Sequence, residues 1–237
     1  MMKKTIFAIC LIVASFSLSA QELLDFSQPD PVSATPTRTT KLFRYTPALR
    51  LDNTYFLRGG TEYSASIVPF NFEIRPWRNQ HYFSVGLGAD FASAYLGSRH
   101  YSISDDILSF DPADDGSLGM NRLGFSLPLT YGFDIKKRKS LEFSIILHCW
   151  PALHLTNEYR SGAQFDYAKA QGLVKDGHNA TIGTYYEGHN PFTVDFSVAY
   201  YLTANCGFSV KYAPPMLFNK GTGPSYHAFS YGAIIRF

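Results

Sequence analysis

Hydrophobic and polar residues alternate with a period of two along most of the chain beyond residue 47, which is the pattern of β-strands with two unlike faces. The cleanest alternation extends over 81–96, where Phe83 and Leu87 share one side and Ser84 and Gly86 lie on the other. Seven further segments alternate in the same way. The eight predicted strands cover residues 48–57, 62–75, 81–96, 119–135, 141–155, 192–202, 208–212 and 225–237.

The segments between the predicted strands differ in length according to the end of the strands at which they lie. The short turns at one end are 76–80, 136–139 and 203–205. The loops at the other end are 58–61, 97–118, 156–190 and 213–224. An even number of strands with short turns at one end and long loops at the other is typical of membrane barrels. The fold class we predict is therefore all-β, an eight-stranded antiparallel transmembrane β-barrel over residues 43–237.

The first 42 residues lack this alternation and divide into two parts. Lys3 and Lys4 precede an apolar segment and then small residues up to Ala20, which is the arrangement of a secretory signal peptide. Residues 1–20 are predicted to be this signal, with cleavage after residue 19 as the alternative to cleavage after residue 20. The segment 21–42 is rich in Pro, Ser and Thr and is predicted to be extended and periplasmic.

Composition and charge narrow the class of protein. Aromatic residues make up 16% of the chain. No stretch of 18 apolar residues follows the signal, so the sequence predicts no transmembrane helix. The 21 basic and 19 acidic residues become 19 of each once Lys3 and Lys4 are removed. A formally neutral chain does not indicate a nucleic-acid partner.

The last predicted strand carries a likeness to a known class of protein. Apolar residues occupy most of every second position from His227 onward, and the strand ends on Phe237. This strand resembles the closing strand of bacterial outer-membrane barrels, and the region 43–237 looks like a small barrel of the OmpA/OmpX-like class. The resemblance implies the outer membrane of a Gram-negative bacterium, contact with its lipid and lipopolysaccharide, and recognition by the barrel-assembly machinery. The assembly signal that it implies consists of Tyr231, Ile235 and Phe237.

Charged residues on the inward side of the predicted strands define a candidate lumen. Eight strands enclose a space that side chains fill, and a dry interior must pair its charges because an unpaired buried charge is costly. The predicted lumen charge network consists of Glu73, Arg75, Asp90, Arg122, Asp134, Glu142, Asp195, Lys211 and Arg236. Its near balance favours a plugged lumen, and a narrow path for ions or solutes is the alternative.

The histidines on the strands do not combine into a site. His148 and His154 lie six residues apart on one predicted face, roughly 20 Å at a rise of about 3.3 Å per residue, which is too far to share a metal ion. Both are predicted to lie in the lumen. His227 and Ser230 form the stretch nearest to the arrangement found in lipid A-modifying barrels, but the alternation puts them on opposite faces.

The loops contain further polar residues without the spacing of a known site. The acidic residues of loop 97–118 lack the spacing of an EF-hand. His178 and His189 share loop 156–190 with Asp176 and Glu187, which leaves a loose metal or acid–base site as the less favoured interpretation. We expect no catalytic residue, no cofactor and no metal.

Cysteines and prolines give two structural predictions. Cys149 and Cys206 fall on non-neighbouring strands at opposite ends, beyond the roughly 7 Å that a disulfide can span, and are predicted to be unbonded. Pro69, Pro128 and Pro151 interrupt strands, where a proline removes a ladder hydrogen bond or marks a bulge. Pro128 and Pro151 are predicted to be two isolated local bulges in a closed wall, without a gap between strands four and five. Opposed residue numbers on those two strands are expected to sum to 276, or to 274 if the turn has three residues.

One function is expected from these observations, with two alternatives. The expected function is a non-enzymatic structural or surface-interaction role carried by loops 97–118 and 156–190, whose ligand the sequence does not name. The first alternative is a barrel that transports a small or apolar solute. The second is a membrane enzyme that modifies lipid A.

Overall fold

A computed structural model describes residues 43–57, 60–76, 80–97, 99–112, 116–136, 139–172, 174 and 179–237. The predicted signal peptide and the segment 21–42 lie outside the described residues. In chain order the described elements are β1 (Phe43–Tyr45), β2 (Ala48–Phe56), β3 (Thr61–Ile74), β4 (His81–Tyr95), β5 (Arg99–Ser104), β6 (Ile107–Pro112), β7 (Ser117–Lys136), β8 (Lys139–Tyr159), α1 (Gly162–Ala170), β9 (Ala180–Tyr185), β10 (Phe192–Tyr201), β11 (Cys206–Ala213) and β12 (Ala228–Arg236).

Eight of these strands close into a barrel. The wall follows the order β2, β3, β4, β7, β8, β10, β11, β12, every neighbouring pair is antiparallel, and β12 pairs back with β2. The closing seam extends from Ala228 opposite Phe56 to Arg236 opposite Ala48. The predicted eight-stranded antiparallel barrel is therefore confirmed. Among the described residues, no helix is both long enough and apolar enough to span a bilayer.

Connections of unequal length lie at the two ends of the wall. The turn end carries the connections 75–80, 137–138 and 202–205, and the loop end carries 57–60, 96–116, 160–191 and 214–227. The prediction that 97–118 and 156–190 are plain loops is wrong. The first contains the β5–β6 hairpin, the second contains α1 and β9, and β7 and β8 extend past the wall. Asp105 and Asp106 both have positive φ, which suits the tight two-residue turn of a hairpin.

The outer face of the wall is apolar all the way round. Large side chains on every strand of the wall are about half exposed: Leu51, Phe72, Val85, Leu87, Phe91, Leu127, Leu129, Ile145, Leu147, Phe196, Val198, Phe208, Val210 and Phe229. A soluble monomer seldom exposes a contiguous apolar patch of more than a few hundred Å². This band is the surface expected of a wall surrounded by hydrocarbon.

Two bulges reverse the alternation of inward and outward side chains. The β3–β4 register shifts between Ile67 and Phe70, at Pro69, and this turns Val68 inward. Counting alternate positions back from Phe70 predicts Val68 on the outer face, which is wrong because the bulge adds a residue to β3.

The second bulge lies in β8, where two residues, Trp150 and Pro151, oppose Gly124 of β7. A Cβ on Gly124 would lie 2.3 Å from the carbonyl oxygen of Cys149, so glycine permits this close approach. Beyond the bulge Leu153 is fully buried and His154 faces outward. The prediction that His154 faces the lumen is therefore wrong. Counting alternate positions from Leu147 predicts Leu153 and Leu155 on the lipid face, which is wrong for the same reason.

Pro128 shifts the register of neither neighbouring ladder, so the bulge predicted at this proline is wrong. It lies opposite Ile146, so the numbers sum to 274 and the register of 276 is wrong. β7 also pairs with β4, and that ladder keeps one register throughout. Gly86 and Leu87 of β4 have no ladder partner on β7, at the level of Pro128. β7 and β8 remain paired from Ser117 to Lys136, so the prediction of a closed seam between them is confirmed. Cys149 and Cys206 are unbonded, as predicted.

Candidate functional site

Polar side chains from all eight wall strands converge inside the barrel and form the candidate site. Three layers can be distinguished along the lumen, from the turn end to the loop end. The first is a compact ion-paired cluster, the second surrounds a small cavity, and the third is an aromatic roof.

The cluster at the turn end is built around Glu142. This carboxylate accepts a hydrogen bond from the Tyr82 hydroxyl at 3.0 Å and pairs with the Arg236 guanidinium. The guanidinium carbon of Arg236 lies 3.8 Å from the ring centroid of Tyr201, in cation–π contact. Tyr82 and Tyr201 are 0% and 1% exposed. We call these four residues the turn-end cluster.

A second ion-paired group adjoins the turn-end cluster. Arg75 donates from Nε to Glu73 at 2.5 Å and from Nη1 to Asp134 at 2.7 Å. Its guanidinium carbon also lies 4.6 Å from the centre of the Tyr82 ring. A Cβ on Gly132 would lie 2.3 Å from that ring, so a glycine opposite Tyr82 is what allows the ring to lie flat against the wall.

The middle layer links five strands, β2, β4, β8, β10 and β11, through alternating charges. Lys211 Nζ lies 2.9 Å from Asp52 and 3.9 Å from Asp195. His148 lies 2.7 Å from Asp90 through Nδ1 and 3.2 Å from Asp195 through Nε2. A carboxylate accepts from each ring nitrogen, which is the arrangement that suits an imidazolium with two N–H donors. We call these five residues the chamber cluster.

A small cavity opens beside the chamber cluster. Its volume is about 70 Å³, and its lining includes the chamber cluster together with Glu62, Arg122 and Trp150. Arg122 pairs with Glu62, and its guanidinium carbon lies 4.5 Å above the Trp150 ring. The cavity has room for a few water molecules, which the polar lining would hold.

Three charged residues that lie in the lumen were not predicted from the sequence. Arg50 and Asp52 lie on β2 and are buried on its inner face, as their alternation with Leu51 would have indicated. Glu62 of β3 is also buried on the inner face. Counting alternate positions back from Phe70 predicts it on the outer face, because the count does not include the bulge at Pro69. The Nε and Nη1 atoms of Arg50 are buried and have no hydrogen-bond partner among the described residues.

The aromatic roof covers the loop end. It consists of Phe56, Phe110, Tyr186, Phe218 and Tyr226, contributed by β2, β6 and the connections beyond β9 and β11. Phe110 stacks on Tyr226 at a centroid distance of 6.0 Å, and Tyr186 meets Phe218 edge-on at 6.0 Å. Beneath the roof, β7 and β8 contribute fully buried apolar side chains, Leu118, Met120, Leu153 and Leu155.

His189 fixes the connection that carries Tyr186. Its ring nitrogens lie 2.7 Å from the Tyr186 carbonyl and 2.9 Å from the Trp150 carbonyl. Asp176 and His178, the other members of the loop group considered in the sequence, lie outside the described residues. No group of three or more potential metal ligands occurs in the part of the chain that the structure describes.

Other candidate residues lie apart from the lumen. His227 is exposed, and its ring lies 2.8 Å from the Tyr212 hydroxyl, whereas Ser230 is buried and bonds Thr54 at 2.8 Å. The two face opposite sides of the wall and share no site. Tyr231 faces outward, Ile235 is half-buried, and Phe237 donates its N–H to the Pro47 carbonyl at 2.9 Å across the closing seam.

Comparison with known proteins finds similarity among solved structures alone. No family model and no curated protein matches the sequence. Among solved structures, the N-terminal β-barrel domain of Pseudomonas aeruginosa OprF is 11% identical with a TM-score of 0.31, over 82% of this chain and 99% of that chain. Ail, the attachment invasion locus protein of Yersinia pestis, is 10% identical (TM-score 0.32, 82% and 97%). Neisserial surface protein A is 13% identical (TM-score 0.32, 82% and 97%). At these values the strand pairing alone establishes the fold.

Proposed function

We propose that this protein is an outer-membrane barrel with a plugged lumen and a structural or surface-interaction role. The observation that carries the proposal is the combination of an apolar outer face with a lumen closed in three layers. The turn-end cluster and the chamber cluster pair their charges, and the aromatic roof lies above them. A wall of this kind suits lipid outside and does not offer a continuous water-filled path inside.

The contacts with the surroundings would then be made at the loop end. The β5–β6 hairpin extends past the wall, and Ile103 and Ile107 flank its turn with about half of each side chain exposed. Apolar side chains on both sides of an exposed turn favour a protein or surface partner for the hairpin. This supports the surface-interaction role over transport through the lumen.

Conductance tests the plugged lumen. We expect liposomes or planar bilayers that contain the folded protein to show no stable current steps above the lipid background. The reason is that an ion would have to displace buried, paired charges in two successive layers. A large open porin in the same bilayer is the positive control. Reproducible ohmic steps from the purified protein would contradict the plug and favour the transport alternative.

Membrane insertion tests both the proposed outer-membrane location and the proposed recognition by the barrel-assembly machinery. We propose that the barrel-assembly machinery recognises the end of β12, with Tyr231, Ile235 and Phe237 as the recognised residues. Removal of Phe237 should then reduce the folded fraction recovered in the outer membrane, measured by heat-modifiable mobility in gels. Removal of the exposed side chain in Phe208→Ala is the matched control. Equal folded fractions in the Phe237 deletion and the control would count against this role.

A further inference from the structure

His148 is the histidine of the chamber cluster, and histidine is the side chain whose charge ordinarily changes between about pH 5 and pH 8. The ring is buried, and its two nitrogens face two carboxylates, Asp90 at 2.7 Å and Asp195 at 3.2 Å. These carboxylates belong to β4 and β10, which are not neighbours in the wall. When it carries two N–H groups, His148 therefore joins two separate parts of the wall across the lumen.

Loss of one proton from His148 would leave Asp195 without a hydrogen-bond donor. A neutral imidazole donates from one nitrogen only and presents a lone pair at the other. Asp90 lies nearer to the ring, and its Oδ1 also accepts from the Ser126 hydroxyl at 2.9 Å. Asp195 has no such second donor among the described residues, because Lys211 Nζ lies 3.9 Å away, beyond hydrogen-bonding distance. A ring that keeps its bond to Asp90 thus places a lone pair against the Asp195 carboxylate.

Charges on every side of His148 make this loss costly. The charged side chains that line the adjoining cavity with it are Asp52, Glu62, Asp90 and Asp195 against Arg122 and Lys211. They come from six wall strands, β2, β3, β4, β10, β7 and β11. Four carboxylates face three bases when the ring is charged, and four face two when it is neutral. An excess of buried negative charge is destabilising unless it is compensated.

The cavity beside the ring is the space that water would fill. Its volume is about 70 Å³, and Asp195, Thr193 and Trp150 are among its lining. The Trp150 ring stacks on His148 at a centroid distance of 5.3 Å and donates from Nε1 to the Thr193 hydroxyl at 3.0 Å. An Asp195 carboxylate that turns away from a neutral ring would move into this cavity, where water can bond it. Trp150 lies at the place where this change would occur.

We propose that His148 is a pH-sensitive switch for the middle of the lumen. With two N–H groups it holds Asp90 and Asp195, and the chamber stays closed. After it loses a proton to the solvent, Asp195 is released into the cavity and water enters. The turn-end cluster and the aromatic roof take no part, so the barrel remains folded. The inference rests on the plugged lumen proposed above, and it adds the residue whose charge controls one of the layers.

A second buried histidine near Trp150 does not have these properties. The His189 ring nitrogens face the backbone carbonyls of Tyr186 and Trp150, at 2.7 and 2.9 Å. A carbonyl carries no net charge, so loss of a proton from His189 would leave no carboxylate without a donor. His189 also lies in the connection between β9 and β10, at the loop end. The switch is therefore assigned to His148, and His189 serves as a control.

The fluorescence of Trp150 measures the entry of small solutes into the chamber. The chain contains two tryptophans, so Trp77→Phe leaves Trp150 as the reporter. The folded protein in phosphatidylcholine vesicles is titrated with acrylamide, a neutral quencher, at about pH 5 and at about pH 9, which enclose the ordinary imidazole range. We expect the quenching constant to be about tenfold higher at the higher pH, since one hydrogen bond to a charged group is lost.

Histidine variants show whether His148 is the group that responds. His148→Gln in the same background carries no titratable group there and should give the high quenching constant at both pH values. His81→Gln removes an exposed histidine at the turn end, next to Tyr131, and should respond as the parent protein does. His189→Gln should also keep the response. A quenching constant that does not change with pH in the parent, or a change that survives in His148→Gln, would overturn the proposal.

Folding and conductance are measured on the same samples, so that this proposal and the plugged lumen can fail separately. Heat-modifiable mobility at both pH values shows whether the barrel stays folded. Loss of the folded band of the parent at the higher pH would overturn the switch, because the whole barrel would then respond. Current steps at neutral pH contradict the plugged lumen. Quenching of Trp150 that is independent of pH in a barrel without current steps contradicts the switch alone.

Discussion

Replacement of Glu142 with alanine is expected to lower the free energy of unfolding by about 3–5 kcal/mol, the usual cost of removing one partner from a buried ion pair. Glu142 is the one carboxylate that contacts both Tyr82 and Arg236 in the turn-end cluster. Its loss leaves the Arg236 guanidinium, whose side chain is 10% exposed, without its carboxylate. Unfolding by guanidinium chloride in vesicles, followed by tryptophan fluorescence, measures the change in the free energy of unfolding.

Two variants separate the lost pair from a general loss of packing. Asp134→Ala removes a carboxylate from the same end of the lumen, but the Asp134 side chain is 39% exposed and Arg75 keeps Glu73. We expect this control to cost no more than about 1 kcal/mol. Adding Arg236→Met to Glu142→Ala should restore part of the lost stability, because no unpaired charge remains. A cost for Glu142→Ala equal to that of Asp134→Ala would contradict the buried pair.

Placing an arginine at Leu127 is expected to destabilise the barrel by about 2–4 kcal/mol, the cost of a basic side chain facing lipid near the midplane. Leu127 lies near the middle of β7, faces outward and opposes Leu147 on β8. Leu87 on the neighbouring strand has a similar exposure and should respond in the same way. Reversible unfolding in vesicles gives the free-energy differences.

The dependence on depth is the control for this effect. Ile135 also faces outward on β7, but it lies next to the turn end. Ile135→Arg should cost about 0–1 kcal/mol, because a basic side chain near the interface reaches water. Equal costs at Leu127 and Ile135 would mean that the apolar band is not centred on the middle of β7. Negligible costs at both Leu127 and Leu87 would argue against a lipid-facing wall.

Alternation alone was enough to predict the wall strands and, for most of their residues, whether the side chain faces the lumen or the outside. It works because a strand has a fixed period of two, so a side chain that faces the lumen fixes the direction of its neighbours. On β4, β10, β11 and β12 alternation predicts the inward residues correctly. Asp90, Ser197, Lys211 and Arg236 all lie inside the barrel, as predicted. The segregation of short and long connections then gives the closed topology.

Bulges are where this reasoning stops working. A bulge adds a residue to one strand, so every side chain beyond it changes face. Val68, Leu153 and His154 were misplaced for this reason, and Glu62 was missed. Pro69 and Pro151 lie at the bulges, whereas Pro128 does not, and the sequence does not say how many residues oppose one another at each proline.

The ion pairs of the lumen also constrain the order in which the chain can fold. Glu142 and Arg236 are 94 positions apart, and Asp52 and Ser209, which hydrogen-bond near the chamber, are 157 apart. Contacts of such high sequence separation form late, since the entropy of closing the intervening loops is lost before they form. Thr54 and Ser230, 176 positions apart, meet across the β2–β12 seam itself.

Hairpins such as β7–β8 need only local contacts, but the lumen charges that bridge distant strands stay hydrated until the first and last wall strands meet. Seam closure and desolvation of the lumen are then one kinetic step. We therefore expect the hairpins to form first and the native barrel to appear afterwards in one slow kinetic phase. An external template that brings β12 to β2 would accelerate that step more than any change within a hairpin.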